Sequence, residues 1–308
     1  VSLMFQRDVF IQEVTNRLEK DKSIFFLSAD FGAPALDILR EKFPKNFIHC
    51  GISEQAMLDI ASGLALEGNK VFVYAMSPFL SLRSIEQAKC GAGLMNLPVC
   101  VISVGVGLGY ADAGPTHYST EDFACFRSIV GTSVYTPSDI ITTRLIANEM
   151  LNEPRFSYVR LDRDVLPNVS PETTVADYNK GYKIFGNANE TKIILISHGK
   201  MLHKCLELFK KEPNRFCCVD IFRSKPFPND LSKAISPCKG IVVVDEQSPS
   251  GNLCSCIFEG FSDQNYFPKI VSKCLPERYV FENGGRDYLL NKFGLSSNDI
   301  IAASKKII

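Results

Sequence analysis

Two open, mostly parallel α/β sheets flanked by helices are predicted by three features of the chain. Short apolar runs of strand length alternate with longer helical patterns; the alternation lapses near the middle; and it then restarts. In order, the first six strands fall near residues 23–28, 46–50, 70–74, 98–104, 133–135 and 156–161, with helices filling the gaps. Runs such as Ile24-Phe25-Phe26-Leu27 and Val99-Cys100-Val101-Ile102 are continuously apolar, as strands covered on both faces must be, and all six are expected to be apolar on both sides. Between Arg163 and Gly181 the chain becomes Asp-Val-Leu-Pro-Asn-Val-Ser-Pro-Glu-Thr-Thr and onward, rich in turn formers, and reads as a linker. Strands near 192–197, 215–221, 240–245 and 268–272 follow, with helices near 201–211 and 252–261. The expected division is a first domain over 1–165, a linker over 166–180 and a smaller second domain over 181–308, and 308 residues suit two domains of roughly 150 each.

Composition narrows the function classes. Thirty-four Lys plus Arg balance thirty-four Asp plus Glu, so no basic field exists for a phosphate backbone, and nucleic acid is not an expected partner. The longest apolar candidate, Leu97 to Leu108, is broken by Ser103, Gly105 and Gly107 and falls short of the roughly 18 residues of a membrane span, so no membrane partner is expected either. Eleven cysteines, an odd count without a Cys-x-x-Cys pair, read as reduced structural residues; Cys100, Cys125 and Cys274 lie among apolar neighbours. The first residues, Val1 to Asp8, lack the pattern of a secretory signal, and a cytoplasmic address is expected.

Ligands of open parallel sheets bind beyond the carboxyl ends of the strands. Four segments lie there: Ser28-Ala29-Asp30, Gly51 to Met57, Met76 to Phe79, and Gly105 to His117. Each has a plain structural reading. Glu54 opens a helix, where a carboxylate gains from the dipole. Phe79 could be core, His117 could sit exposed after the Gly114-Pro115-Thr116 turn, and Asp30 could cap the next helix. Gly105-x-Gly107-x-Gly109 is not a dinucleotide loop, because Tyr110 stands where the third glycine is required.

Together, Gly51-Ile52-Ser53-Glu54-Gln55-Ala56-Met57 and Gly114-Pro115-Thr116-His117 some sixty residues later form an uncommon pair. With Arg83 to Gln87, Glu121-Asp122, Thr136 to Asp139, Asp245-Glu246, Gly251 to Leu253 and Gly284 to Leu295, they make the chain resemble the carboxyl-terminal half of transketolase. That half is a thiamine-diphosphate-binding pyrimidine domain followed by a terminal domain. The resemblance implies transfer of a two-carbon ketol unit from a ketose to an aldehyde. It implies that Glu54 is the catalytic glutamate at the aminopyrimidine ring nitrogen, a role needing a carboxyl able to hold a proton near neutral pH, which burial at a subunit interface favours. Phe79 would stack on the aminopyrimidine, with Met76 beside it where an aromatic is often found, and Asp30 would lie near the thiazolium side. His117 would face the reacting carbonyl, and Arg163, with Asp112 nearby, would receive the sugar or its phosphate.

The departures are equally specific. Gly105 stands where the family has a histidine, Pro34 or Ala35 where it has a serine, and Ala113 where an aspartate precedes Gly-Pro-Thr-His, with Asp112 one place further away. The donor sugar, phosphorylated or not, is therefore left open. The chain contains no Gly-Asp-Gly, the family's diphosphate and metal motif. Either this chain is the second subunit of a split enzyme, the favoured reading, or the half that bears that motif is left out of this sequence; the implied partner is a separate diphosphate-binding subunit carrying most of the contacts to Mg2+ or Ca2+, with no metal ligands expected in this chain. Self-association within a heterotetramer, two copies of each subunit, is the expected minimum. Arg7-Asp8-Val9-Phe10 opens a helix as the start of such a split chain would. The alternatives are the β subunit of a 2-oxo acid dehydrogenase decarboxylase, against which the Gly-Pro-Thr-His loop speaks, a deoxyxylulose phosphate synthase, normally one long chain, and a non-catalytic assembly subunit. The terminal domain reads as a dimerisation scaffold, with His198 and His203 at surface or helix-start positions and Asp245-Glu246 ordering a turn.

Overall fold

The computed structural model describes residues 4–30, 32–169, 173–188, 191–236, 238–262 and 268–307. In the first half α1 (Gln6–Leu18), β1 (Ile24–Ala29), α2 (Ala35–Lys42), β2 (Phe47–Gly51), α3 (Glu54–Leu66) and β3 (Lys70–Met76) lead into an irregular helical stretch. That stretch is a π-helical turn over Phe79–Arg83, the short α4 (Ile85–Gln87) and a second π-helical turn over Ala88–Gly93. β4 (Val99–Val104), α5 (Asp122–Ser128), β5 (Ser133–Tyr135), α6 (Ile140–Asn152) and β6 (Ser157–Leu161) complete it. The second half comprises α7 (Val175–Lys180), β7 (Lys183–Phe185), β8 (Ile193–Ser197), α8 (Gly199–Lys211), β9 (Phe216–Asp220), β10 (Arg223–Lys225), α9 (Leu231–Ala234), β11 (Gly240–Val244), α10 (Leu253–Phe261), β12 (Lys269–Lys273), α11 (Arg286–Lys292) and α12 (Ser297–Lys305).

Two sheets result, a seven-stranded one in the order β10-β5-β6-β4-β3-β1-β2 and a five-stranded one in the order β12-β11-β8-β9-β7. All pairings are parallel except those of the two edge strands β10 and β7. Apolar side chains explain the centre of each sheet: every residue of β4, β8 and β11 is buried. β2 departs from the expected two-sided burial, because it is an edge strand and its His49 is exposed. β7 and β10 were not foreseen; three residues each, β7 opening on Lys183 and β10 charged at both ends, they carry no strand pattern and are recruited by the open edges of β9 and β5.

β10 belongs to the second half of the chain yet pairs with the first sheet, Arg223 opposite Tyr135. One buried apolar cluster likewise runs from Met57, Leu58 and Val101 to Ile194, Ile221 and Leu253, so the sheets share a core. The predicted linker is tied down where described: the Val169 N–H donates to Asp139 Oδ2 at 3.1 Å, and Tyr178 stacks on Phe222 at 5.6 Å. Its residues 170–172 lie outside the described residues. Among the described residues no helix is long and apolar enough to cross a membrane. All eleven cysteines are free, seven of them buried; Cys125 and Cys274 are half-buried rather than core.

Candidate active site

Parallel pairing of β1, β2, β3, β4 and β6 brings the segments following them to one edge of the seven-stranded sheet. Glu54 is the first residue of α3, where free N–H groups favour a carboxylate, and only 3% of its surface is exposed. Its partner is Arg83, whose Nη1 donates to Glu54 Oε2 at 2.7 Å. The π-helical turn that begins at Phe79 sets this up: it aligns Phe79 and Arg83 so that the guanidinium lies 4.4 Å from the centre of the Phe79 ring.

Contacts continue from there. Phe79 meets His117 edge to face at 5.4 Å, His117 meets Tyr110 at 6.4 Å, and the Arg163 guanidinium lies 4.4 Å over the Tyr110 ring. Arg163 Nη1 donates to Asp112 Oδ1 at 2.6 Å and holds that carboxyl below its ordinary range. Burial pushes the Tyr110 hydroxyl up to about 12, against the pull of Arg163 and Arg7. Glu54, Phe79, His117, Arg163 and Asp112 are thus gathered into one series, bridged by Arg83 and Tyr110. Met76 ends β3 and is half-buried, three residues before Phe79. Asp30 reaches the same edge but stands outside the series, its side chain 60% exposed and 3.8 Å from His49. It does not cap α2, whose N-cap is Pro34.

Gly105 has a physical reason. At φ +86° a Cβ there would lie 2.0 Å from the Tyr110 ring, so Tyr110 fills the space that any side chain at 105 would need. Gly107 pairs with Ser119 through two backbone hydrogen bonds of 2.9 Å, closing the loop that carries His117. The Ser119 hydroxyl meets that of Ser77 at 2.6 Å.

The terminal domain braces this loop, which the sequence reading missed. Glu246 accepts the Leu108 N–H at 3.0 Å, and Gln247 Nε2 donates to the Ser119 carbonyl at 2.8 Å. Arg286, buried at the start of α11, bonds Glu246 and Asp162 together, with Nη2–Oε2 and Nη1–Oδ1 distances of 2.7 Å each. His198 is not a surface residue: it is 4% exposed, sits at the N-cap of α8 and bonds Asp245 at 3.1 Å. Asp245 also accepts the Leu253 N–H; burial works against its charge, but His198 and Arg160 outweigh it and hold the carboxyl below its usual range. Arg160 in turn makes a two-pronged bond to Asp122, at 2.6 and 3.1 Å. His203 is half-buried, its Nε2 2.8 Å from the Ser138 carbonyl, and burial lowers its pKa. The pairs joining residues more than a hundred positions apart leave no local pattern, which is why they escaped notice. Among the described residues no group of three or more His, Cys, Asp or Glu is placed to hold a metal ion.

Comparison with known proteins gives the family. The family described as transketolase, pyrimidine binding domain, matches residues 5–168, more than half of the chain. The chain belongs to that family. Among transketolase relatives, it is 26% identical over 312 residues to one of the subunits of the apulose-4-phosphate transketolase of Phocaeicola vulgatus, covering 98% of this chain and 97% of that protein. It is 28% identical to transketolase-like protein 1 of Mus musculus over 299 residues, but these are only 49% of that protein. The chain thus spans nearly all of the first and about half of the second. The fold of a split gene transketolase solved as an inactive beta4 tetramer superposes with a TM-score of 0.83 at 24% identity, covering 99% of this chain and 98% of that one. Transketolase of Pichia stipitis gives 0.80 at 17% identity, covering all of this chain and 46% of its own.

Proposed function

We propose that this chain is the pyrimidine-side subunit of a split transketolase, working with a separate subunit that holds the diphosphate and its Mg2+ or Ca2+. The observation that carries the reading is the buried Glu54 carboxyl at the head of α3 with the Phe79 ring beside it and His117 against that ring. A buried carboxyl next to a half-exposed aromatic face fits an aminopyrimidine, which needs one polar contact and a flat wall. The diphosphate end has no counterpart here, since Gly-Asp-Gly is missing from the sequence. Bound thiamine diphosphate supplies the carbon that carries the two-carbon unit.

The chain's own residues then divide the work. Glu54 holds a proton at the ring nitrogen, Phe79 and Met76 confine the ring, and Asp30 stands toward the thiazolium side. His117 moves a proton at the donor's oxygen as the ketol bond breaks. Arg163 offers its fork to the far end of the sugar or sugar phosphate, with Asp112 setting how tightly. Domains over 1–165 and 181–308, a heterotetramer and a cytoplasmic address complete the proposal, the last supported by eleven free cysteines.

Affinity purification from native cells with mass spectrometry of the co-purifying chains tests it. A stoichiometric partner of roughly thirty kilodaltons carrying Gly-Asp-Gly and a downstream Asn, in a complex that binds thiamine diphosphate, is expected. Recovery of the chain alone, unable to bind the cofactor with any added partner, would overturn the reading.

A further inference from the structure

We propose that Arg83 is a resident surrogate for the aminopyrimidine, occupying the ring's place in the free subunit and leaving it when the cofactor arrives. The inference rests on the assignment of Glu54 and Phe79 to the aminopyrimidine. Those two residues offer a flat cationic group two things, a buried carboxyl to bond and an aromatic face to lie against. Arg83 takes both at once, with Nη1 2.7 Å from Glu54 Oε2 and the guanidinium 4.4 Å from the Phe79 ring centre. A guanidinium is planar and stacks on aromatic faces, so it fills the ring's place against Phe79, while its N–H donates to the Glu54 carboxyl at the point where the ring nitrogen would accept.

Energetics favour an occupant. A carboxyl as buried as that of Glu54, with 4% of its side chain exposed, is costly to leave without a partner. Arg83 provides one while 42% of its own side chain remains in solvent, so the guanidinium has an open way out. Leu82 beside it and Ile52 ahead of α3 are also exposed, which keeps that exit clear of packed neighbours in the free chain. Glu54 is therefore never unpaired: it accepts from Arg83 in the free chain and bonds the ring nitrogen once Arg83 has left. Cofactor binding must break the Arg83 contacts, and the free chain holds the aminopyrimidine more weakly than its pocket alone would allow.

Thiamine, which lacks the diphosphate and so needs no partner chain, is the probe. Titration calorimetry would compare the full-length wild-type chain, Arg83→Ala, Arg83→Lys and the double variant Arg83→Ala with Glu54→Ala. Arg83→Ala should bind thiamine about tenfold more tightly than the wild type, and Arg83→Lys, which keeps the charge but not the plane, should fall between them. The double variant should lose the gain. Equal or weaker binding by Arg83→Ala, or no heat from either protein, overturns the surrogate role and leaves the assignment of Glu54 to be judged by activity of the complex. Tight binding by Arg83→Ala that survives in the double variant instead defeats the assignment of Glu54 itself. Circular dichroism of each variant controls for folding, which an exposed side chain such as Arg83 should not disturb.

Discussion

Replacing Arg286 by methionine should cost the chain about 3–5 kcal/mol of stability. The side chain is buried, and burial works against its charge, but Asp162 and Glu246 outweigh that and keep it protonated far above the ordinary range. It gives Asp162 two bonds, of 2.7 and 2.9 Å, and Glu246 two more from Nε and Nη2, of 2.9 and 2.7 Å. Methionine roughly conserves the volume, so little of the cost comes from a cavity. The cost comes from two carboxylates left buried without their cation, the situation in which breaking an ion pair is most damaging. At about 2–4 °C per kcal/mol the thermal midpoint should fall by roughly 10 °C at pH 8. It should fall less at pH 5, where an unpaired buried carboxylate can be neutralised by a proton. Because Glu246 also holds the Leu108 N–H, amide exchange in the 105–119 loop should quicken in the same variant. Thermal unfolding followed by circular dichroism at both pH values measures the first effects. A midpoint within about 2 °C of wild type at pH 8, or a deficit that grows toward acid, would refute the reasoning.

Three further outcomes are expected. Glu54→Ala should lower turnover of the reconstituted complex by at least about a hundredfold while size-exclusion chromatography shows unchanged assembly, and Glu54→Gln should fail as well because it keeps the shape but cannot exchange the proton; full activity in either would sink the mechanism. Burial, helped by the nearby Asp139, pushes the Asp220 carboxyl well above its ordinary value against the Ser138 hydroxyl at 2.8 Å and the Lys183 charge. Its folded form therefore binds the proton more strongly than the unfolded chain does, and stability is lost as pH rises from about 4 through the folded value, each unit being about 1.4 kcal/mol. Asp220→Asn should accordingly gain on the wild type between pH 5 and pH 8 in urea titrations, and a constant difference would contradict the sign. Gly107→Ala would place a Cβ 2.7 Å from the Glu246 carboxyl at φ +60°, whereas Gly114→Ala, at φ +81°, meets nothing within 4 Å. Both carry the positive-φ penalty of about 1 kcal/mol, but only the first should add a further loss and disturb the His117 loop; equal unfolding midpoints would show the close approach to be harmless.

Much of this fold could be read from residue order because its strands advertise themselves. Ile24 to Leu27 and Val99 to Ile102 are too apolar to lie anywhere but inside a sheet, and their spacing by helical patterns dictates parallel pairing. Glu54, Phe79 and His117 were legible for a related reason: each follows a strand, and parallel pairing delivers strand ends to one edge. Arg83 was not. It lay inside a matched segment, but its contact with Glu54 depends on a π-helical turn, and the 3.6-residue period of an ordinary helix gives no reason to aim residue 83 at residue 54. His198 stands at the helix start its position ahead of a helical pattern suggested, but not at the surface; what buries it is Asp245 and Arg160, supplied by β11's end and by the other sheet.

These long-range contacts divide the site into a fixed part and a movable one. His117 sits on a loop closed by Gly107 and Ser119 and clamped from the second sheet by Glu246 and Gln247, with Arg286 locking Glu246 to Asp162. Every one of those contacts is buried, so the loop is held before any ligand arrives, as a group that must meet a reacting oxygen requires. Arg83 is the opposite case, half in solvent and held through Glu54 and Phe79. A terminal domain that served for dimerisation alone would have no need of buried bonds to the His117 loop. Its sequence-distant residues, Glu246, Gln247 and Arg286, are better understood as the support of one half of the site, while the half around Glu54 stays open to whatever displaces Arg83.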